Sequence, residues 1–387
     1  EEAIENNATP GGQVLVAKSG KIVFQKPYGY FTYDSLTKVT NQSVYDIASV
    51  TKVVATLQAL MFLEGRGRLD LDKKASYYLK ELKDSNKASM HMMDILTHQA
   101  GLLPFIPFWK FTIDSAGVSP AFYRTQNDSI FSIQVSPGLY GLQTLKDSIW
   151  KWTIESKLMP KSKKSNTHEY KYSDMGFYIM QRVAEDLLNQ PIEVFLEQNF
   201  YSPMGLGSMS YLPLCKYPIH RIVPTEEDRY FRNSVICGLV HDPVAAMYGG
   251  IAGHAGVFSN SNDLAKLLQM NLQDGYYGGI VYLKKGTINK FTDKQFPNNR
   301  RALGWDKPLI GEFGGPTSRF ATAGTYGHTG FTGTAVWVDP EFDLIYIFLS
   351  NRTYPHGKNF QLIESNIRTR IQDLIYESVW SYESIHY

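Results

Sequence analysis

The first hydrophobic pattern along the chain is a period of two near the amino terminus. Residues 13–18 alternate apolar and polar side chains, Ser19 and Gly20 favour a tight turn, and residues 21–25 return. Such alternation is typical of strands with one buried face, and a short Gly-containing turn between two of them indicates a hairpin. This segment therefore predicts a β-hairpin.

From residue 50 onward the apolar period changes to that of a helix. Apolar side chains recur three and four residues apart at Val50, Val53, Val54, Leu57, Leu60 and Met61. In an α-helix this spacing puts the apolar side chains on one side, so the pattern predicts a helix with a buried face. We expect Gly65 and Gly67 to end it, because glycine favours helix termination.

The rest of the chain divides into a helical centre and a strand-containing end. Residues 68–235 have helical stretches separated by long polar loops, without the strong alternation of strands. Residues 334–338 and 344–350 flank a turn and predict a hairpin of core strands. A last helix is predicted to have one apolar face, formed by Ile363, Ile367, Ile371, Leu374 and Ile375.

Strands at both ends of the chain and helices between them predict an α+β fold. We expect residues 1–67 and 236–387 to share an antiparallel sheet flanked by helices, because a sheet must bury its apolar faces. Residues 68–235 are then predicted to form an inserted, mostly helical subdomain.

Composition excludes several classes of protein. Among 387 residues, 39 Lys and Arg against 37 Asp and Glu leave a net charge of +2, which is no electrostatic footprint for nucleic acid. No apolar run is long enough for a membrane span, and the first residues do not resemble a signal peptide. Cys215 and Cys237 lack metal-ligand spacing, so we expect buried, unlinked thiols; a disulfide is the alternative in an exported protein.

Ser49-Val50-Thr51-Lys52 opens the first predicted helix and is the first candidate for chemistry. Residues three apart share a helix face, so the Ser49 hydroxyl and the Lys52 amine can meet. Serine needs an adjacent base to become a good nucleophile, and lysine can serve if burial or a nearby cation lowers its pKa. The alternative is a helix-capping serine beside a solvated lysine.

Tyr172-Ser173-Asp174 is the second candidate, in a loop that enters a helix. A tyrosine there can relay a proton to a leaving group. The alternative is a packed tyrosine followed by Asp174 as a helix N-cap.

The third candidate is residues 327–333, Gly-His-Thr-Gly-Phe-Thr-Gly, just before a predicted strand. Glycines allow a strand edge to approach a substrate closely, and a backbone N–H on that edge can contribute to an oxyanion hole. The alternative is a Gly-rich turn with His328 on the surface.

In this order, the three motifs resemble the Ser-x-x-Lys, Tyr-x-Asn and Lys-Thr-Gly signature of penicillin-binding proteins and serine β-lactamases. Their separations, about 120 and about 160 residues, resemble those of class C β-lactamases, D-Ala-D-Ala carboxypeptidases and related esterases. Residues 96–102 (Leu-Thr-His-Gln-Ala-Gly-Leu) and 249–259 are similar to two further segments of this superfamily. The resemblance therefore covers essentially the whole chain.

The resemblance implies a role for each motif. Ser49 attacks a carbonyl, Lys52 takes its proton, and Tyr172 passes a proton to the leaving group. The backbone N–H groups of Ser49 and Phe331 hold the oxyanion. Substrate-binding or oxyanion positions are implied for Asp174, His328, Thr329, Gly330 and Phe331.

Two departures from the family pattern change the expected charge of the site. Asp174 stands where the family has Asn, and His328 stands where it has Lys. Both changes make the site more anionic, which disfavours turnover of β-lactams while acyl transfer remains expected. An Asp174–His328 pair that keeps the imidazole charged is the alternative. His98 and His254 are expected to shape the site rather than perform chemistry.

The predicted activity is hydrolysis, through an acyl-enzyme, of an ester, amide or peptide bond in peptidoglycan-derived or D-amino-acid substrates. A catalytically weak, penicillin-binding-type recognition module is the alternative. A glycosidase is disfavoured because no carboxylate pair stands out. No cofactor or metal is expected, and the partner is a small molecule or peptide.

Residues 241–259 look especially like serine-hydrolase modules of bacterial envelope proteins. Some of those modules follow a β-N-acetylglucosaminidase module in one polypeptide. The resemblance implies an envelope location, periplasmic or exported, and a covalently linked glycosidase module in a longer protein.

Overall fold

The computed structural model describes residues 1–115, 117–310 and 315–386, with side chains up to Ser381. Its strands, in chain order, are β1 (Gly11–Lys18), β2 (Lys21–Gly29), β3 (Tyr45–Asp46), β4 (Ile113–Asp114), β5 (Gly117–Val118), β6 (Tyr123–Arg124), β7 (Ile133–Ser136), β8 (Leu139–Gly141), β9 (Glu226–Asp228), β10 (Ser234–Ile236), β11 (Phe258–Ser259), β12 (Tyr276–Tyr277), β13 (Ile280–Val281), β14 (Tyr326–Thr329), β15 (Ala335–Asp339) and β16 (Leu344–Ser350).

The helices complete the described secondary structure. They are α1 (Glu2–Glu5), α2 (Leu57–Gly65), α3 (Ala75–Tyr78), α4 (Met92–Leu96), α5 (Leu145–Glu155), α6 (Met175–Leu188), α7 (Ile192–Leu196), α8 (Pro243–Met247), α9 (Ser261–Leu272), α10 (Thr287–Thr292), α11 (Gln361–Glu364) and α12 (Ile367–His386). Shorter 3₁₀ and π turns join several of them.

The main sheet has five antiparallel strands in the order β14-β15-β16-β1-β2. It joins the amino-terminal hairpin to the carboxyl-terminal one, because β1 pairs with β16. Both predicted hairpins are confirmed, and so is an α+β fold whose sheet draws strands from both chain ends.

Each face of this sheet packs against helices. Side chains of one set, such as Val14, Trp337 and Tyr346, pack with the terminal helices α11 and α12. Side chains of the alternate set, such as Leu15 and Ile347, belong to the large core that also contains α2, α6 and α9. The period of two in strands produces this separation. That core includes residues of both predicted subdomains, whose division stays a prediction.

The segment that begins at Ser49 is more irregular and more buried than its pattern predicts. It consists of a 3₁₀ turn at Ala48–Val50, a π turn at Lys52–Thr56 and then α2. The predicted buried face is confirmed, and burial extends beyond it, because every residue of the π turn and most of α2 are buried. The helix passes through the core, and only its last residues, Phe62, Glu64 and Gly65, are partly exposed. It ends at Gly65, as predicted.

The central region contains strands that the sequence did not indicate. From residue 68 to 236, the helices α3 and α4 are followed by the strands β4 to β8, and the helices α5 to α7 by the strands β9 and β10. These strands are two to four residues long, too short for an alternating pattern to emerge. The longest elements of the region are helices, as predicted, and the short strands are an addition to that prediction.

The predicted last helix is confirmed, but its buried face differs from the apolar face that the sequence predicted. Ile367 is buried, but Leu374 is 63% exposed, and Ile363 lies in the separate helix α11. Tyr376, which the apolar pattern did not include, is fully buried. Its hydroxyl donates to Asp339 Oδ2 over 2.6 Å, so a polar group anchors this helix on the sheet.

Both cysteines are free thiols. Cys237 is partly buried, and burial raises the pKa of its thiol to about 11. Cys215 is exposed, contrary to the expectation of two buried thiols. Within residues 1–115, 117–310 and 315–386, no helix is long and apolar enough to cross a membrane.

Candidate active site

Ser49 lies on a strained turn that a buried carboxylate holds in place. Ala48, the residue before it, has φ +46°, a left-handed conformation that non-glycine residues rarely adopt. Asp46 stabilises this turn, since Oδ1 accepts from the Ala48 N–H over 2.8 Å and Oδ2 from the His241 N–H over 2.7 Å. Strain of this kind is retained where a side chain must be presented in one position.

Lys52 lies directly beneath Ser49 in the π turn. Its side chain is fully buried, and Nζ donates to Ser49 Oγ over 2.8 Å, to Asp174 Oδ1 over 2.6 Å and to the His254 carbonyl over 3.1 Å. These three contacts satisfy all three ammonium protons. The predicted meeting of hydroxyl and amine is present, and the alternative of a solvated lysine is wrong.

The electrostatics of Lys52 differ from the sequence-based expectation. Burial works to lower the pKa of Lys52, but the charge of Asp174 and the neighbouring Tyr172 outweigh it and raise the pKa above its ordinary value. Asp174 therefore stabilises the ammonium form. A neutral Lys52, which a base requires, becomes more populated as the pH rises.

We expect Asp174→Asn to shift the acid limb of the pH profile of kcat/KM to lower pH. The amide keeps the shape of the carboxylate but removes the charge that raises the pKa of Lys52. Neutral lysine then persists to lower pH. A p-nitrophenyl ester assayed across pH measures the shift, and Asp84→Asn, at an exposed position, is the control. An unmoved acid limb would show that Lys52 ionisation does not govern the rate.

Tyr172, in the second motif, also contacts the Ser49 hydroxyl. Its Oη donates to Ser49 Oγ over 3.0 Å, and burial raises the pKa of the phenol, so the proton stays on oxygen. His98 packs on the Tyr172 ring with centroids 4.6 Å apart, and its Nδ1 accepts from the Ser173 N–H. His98 thus has the structural role expected of it.

Asp174 occupies the N-cap position of α6, but its side chain accepts no capping hydrogen bond. The carboxylate turns instead toward Lys52. The simple capping alternative is therefore wrong, because the charged amine offers a stronger partner than the backbone N–H groups.

His328 is neutral because burial and nearby cations outweigh the charge of Asp306 and the Thr329 carbonyl, which favour the cation. Its Nδ1 donates to the Thr329 carbonyl over 2.7 Å, and Nε2 lies 3.3 Å from Arg301 Nη1, which can only donate. Burial and the charges of Arg301 and Lys52 lower the pKa of His328 to about 3. The alternative Asp174–His328 pair is absent from the described contacts, since each side chain bonds elsewhere.

Arg301 is a site residue that the motifs missed. It lines the cleft, ion-pairs with Asp306 over 3.2 Å, donates to Tyr170 Oη over 3.2 Å and lies over the ring of Tyr172. It precedes His328 by 27 positions in the chain and belongs to none of the three motifs. Nothing in the sequence could have shown that it reaches the third motif.

The third motif is tied to the turn that carries Ser49. Thr332 Oγ1 donates to the Asp46 carbonyl over 2.9 Å, and Thr334 Oγ1 donates to the Ile47 carbonyl over 3.1 Å. A Cβ on Gly330 would lie 2.5 Å from the Ile47 carbonyl, so only glycine permits this approach. The edge of β14 and the Ser49 turn are thereby held at fixed separation.

His254 supports Lys52 from behind. Its carbonyl accepts from Lys52 Nζ, and its Nε2 lies 3.0 Å from Asp242 Oδ1. Burial alone would raise the pKa of Asp242, but His254 and the backbone N–H of Ala245 lower it to about 2. His254 thus takes the structural role expected from the sequence, and Asp242 is a second carboxylate in the cleft that the motifs did not indicate.

The cleft at Ser49 has a volume of about 800 Å³. Lys52 lies below its floor, and the other seven of the eight predicted site residues line it: Ser49, Tyr172, Asp174, His328, Thr329, Gly330 and Phe331.

The basic residues that line the cleft outnumber the acidic ones, Asp174 and Asp242. The basic ones are Lys110, Arg301, Arg352 and Arg368. Basic residues distant in sequence thus converge on this cleft and oppose the anionic shift expected from Asp174 and His328. In the described ranges, no three His, Cys, Asp or Glu side chains are grouped to hold a metal.

A serine hydroxyl held between a buried lysine and a tyrosine, on an antiparallel sheet flanked by helices, defines the class: this is a serine hydrolase. The chain belongs to the Beta-lactamase family, whose model matches residues 1–365. The family predicted from the three motifs is thus confirmed.

Relatives and solved structures agree with this assignment. The chain is 31% identical to "N-acetylmuramyl-L-alanine amidase" of Bacillus subtilis (strain 168), over 89% of this chain and 78% of that protein. It is 30% identical to "Putative D-alanyl-D-alanine carboxypeptidase" of Escherichia coli O157:H7, over 92% and 82%. A class C beta lactamase from Rhodobacter sphaeroides has the same fold, with a TM-score of 0.61 at 17% identity, over 95% of this chain and 97% of that one.

Proposed function

We propose that this chain hydrolyses an amide, peptide or ester bond of a peptidoglycan-derived substrate through an acyl-enzyme on Ser49. The observation that carries the proposal is the pair of hydrogen bonds on Ser49 Oγ, from Lys52 Nζ and Tyr172 Oη, at the floor of an open cleft.

In the first step, the neutral form of Lys52 takes the proton of Ser49 as Oγ bonds to the substrate carbonyl carbon. Asp174 stabilises the ammonium that forms, over 2.6 Å. This is the role that a carboxylate has beside the base of other serine hydrolases, where it stabilises the protonated base without taking the proton itself. Asp174 thus makes proton acceptance more favourable, although it lowers the neutral fraction of the amine at low pH.

The negative charge that develops on the carbonyl oxygen requires donors already in place. The N–H groups of Ser49 and Phe331 are our candidates. Phe331 follows Gly330, which the Thr332 and Thr334 hydrogen bonds hold against the Ser49 turn. Fixed backbone donors of this kind stabilise an oxyanion without reorganisation.

Tyr172 completes the cycle by passing a proton to the leaving group. Its hydroxyl is protonated at neutral pH, because burial raises its pKa, and it lies 3.0 Å from Ser49 Oγ. The leaving group departs with that proton. The phenolate left on Tyr172 then takes a proton from the water that attacks the acyl-enzyme. The Lys52 ammonium returns its proton to Ser49 Oγ as the acyl–oxygen bond breaks, which leaves the acid product and free enzyme.

The substrate class rests on the relatives and on the cleft. Two relatives are named for cleavage of N-acetylmuramyl-L-alanine and D-alanyl-D-alanine bonds, both of which are amides of peptidoglycan peptides. The basic lining of the cleft suits the carboxylates of such peptides. We place the protein in the bacterial envelope or outside the cell; a periplasmic location and a linked glycosidase module remain proposals from residues 241–259.

We expect a fluorophosphonate to label Ser49 covalently. Intact-mass spectrometry should show one adduct on the wild-type chain, and none on Ser49→Ala, because the alanine variant lacks the attacking oxygen. Peptide mapping then locates the adduct. A chain that folds but is never labelled would support the alternative of a recognition module without catalysis, and an adduct that persists in Ser49→Ala would overturn the assignment of the nucleophile.

A further inference from the structure

A second cleft, of about 900 Å³, adjoins the one at Ser49. Tyr170 belongs to its wall, and Arg301 belongs to the wall of the active-site cleft; the two meet through a hydrogen bond of 3.2 Å. Tyr170 also precedes Tyr172 by two residues, which puts their Cα atoms at most about 7 Å apart. The two clefts are therefore neighbours, with Tyr170 and Arg301 at the boundary between them.

The lining of the second cleft is rich in groups that both donate and accept hydrogen bonds. Uncharged amides and hydroxyls contribute much of it: Asn86, Ser89, Gln99, Asn166, Thr167 and Asn298. The rings of His168, Tyr170 and Phe296 provide flat apolar surface beside them. Sugar hydroxyls both donate and accept, as amide groups do, and the C–H faces of a sugar pack on rings.

Several of these groups have no partner within the protein. Among the described residues, the side chains of Ser89, Asn166 and Asn298 are exposed and make no hydrogen bond within the protein, so a ligand can bind them in place of water. His168 Nδ1 is buried and also lacks a partner. A buried polar atom without a partner costs free energy, so a ligand that supplies a hydrogen bond to His168 is favoured.

The charges of the second cleft argue for a neutral ligand. Its charged lining residues are one cation, Lys161, and two carboxylates, Asp94 and Glu169. Asp94 already accepts from Gln99 Nε2 over 3.0 Å. A phosphate or a polyanion would find no cluster of basic groups, and an ammonium group would compete with Lys161.

We propose that the second cleft binds the N-acetylhexosamine of a muramyl peptide whose scissile bond lies at Ser49. This inference rests on the proposed function and adds the part of the substrate that no motif addresses. The sugar carries hydroxyls and one acetamide and, with its lactyl group in amide linkage, no charge. The volume of the cleft falls within the range of about 300–1,000 Å³ that small ligands occupy.

The test compares two ligands that differ only in the sugar. One is N-acetylmuramyl-L-Ala-D-isoglutamine, and the other is the same dipeptide with a 2-methoxypropanoyl group, in which methyl replaces the sugar. Calorimetry on Ser49→Ala, which cannot turn them over, should show the sugar-bearing ligand binding at least about ten-fold tighter. Adding Asn166→Ala or Asn298→Ala should each reduce that preference about five-fold, the usual effect of one lost hydrogen bond.

Asn127→Ala is the matched control, because Asn127 is exposed, outside the cleft lining and without a hydrogen bond in the described contacts. Equal affinity for the two ligands, or a preference that the cleft variants leave unchanged, would overturn the sugar site. In either case, Asn166→Ala and Asn298→Ala made in the chain that retains Ser49 still report on the proposed function, through fluorophosphonate labelling and ester turnover. Loss of labelling in the wild type would instead refute the function itself.

Discussion

Replacing Lys52 with methionine is expected to lower ester turnover by about 10⁴-fold, the upper end for loss of a positioned base. Methionine matches the length of the lysine stem but cannot take the Ser49 proton. Lys52→Met also leaves the Asp174 carboxylate without its partner, which destabilises a buried ion pair. Loss of activity in Lys52→Met alone would therefore not distinguish the loss of the base from a loss of folded protein.

The double variant Lys52→Met with Asp174→Asn separates the two effects. It removes both charges, so thermal stability should recover while turnover stays low. Lys87→Met is the matched control: Lys87 is also buried, donates to the Ile154 and Ser156 carbonyls, and lies outside the cleft at Ser49. It should lose stability but keep kcat. Recovery of turnover in the double variant would remove Lys52 from the role of base.

Tyr172→Phe is expected to lower kcat about 10²–10⁴-fold with little change in stability. Phenylalanine keeps the ring that packs on His98 and loses only the hydroxyl on Ser49 Oγ. If Tyr172 protonates the leaving group, the loss should be larger for amides, whose leaving nitrogen needs a proton, than for p-nitrophenyl esters, whose leaving group departs unprotonated.

A burst of p-nitrophenol in stopped-flow assays shows whether acylation or deacylation is slowed. Tyr123→Phe is the control, since it also removes a buried hydroxyl contact, 2.8 Å from Thr112 Oγ1, away from the cleft at Ser49. Equal losses for amides and esters would assign Tyr172 to another step. Undiminished kcat on both substrates would exclude it from proton transfer.

The buried charges around Ser49 form an alternating arrangement rather than a single basic or acidic field. Asp174 pairs with Lys52, Asp306 pairs with Arg301, and His328 between them stays neutral. Both of these carboxylates therefore have a cationic partner in the absence of substrate. The other basic residues of the cleft wall, Lys110, Arg352 and Arg368, add positive charge that favours the carboxylates of a peptide.

The sequence by itself determined the elements whose information is local. A period of two specified the terminal hairpins, a helical period specified α2, and the three-residue spacing brought Ser49 and Lys52 together, because a helix fixes that geometry within one turn. The order of the three motifs indicated the family. The site residues taken from those motifs also converge on one cleft, although their roles remain to be tested.

Only the tertiary structure decided the features that depend on contacts distant in the chain. Asp46 holds the Ser49 turn, Arg301 reaches His328 across 27 positions, and the charge of Asp174 helps to outweigh burial and raise the pKa of Lys52. No periodicity records such contacts, because each arises where separate segments pack. The pKa of a buried group depends on which charges the fold brings within a few ångströms and on how much water it excludes, and neither is a property of the neighbouring sequence.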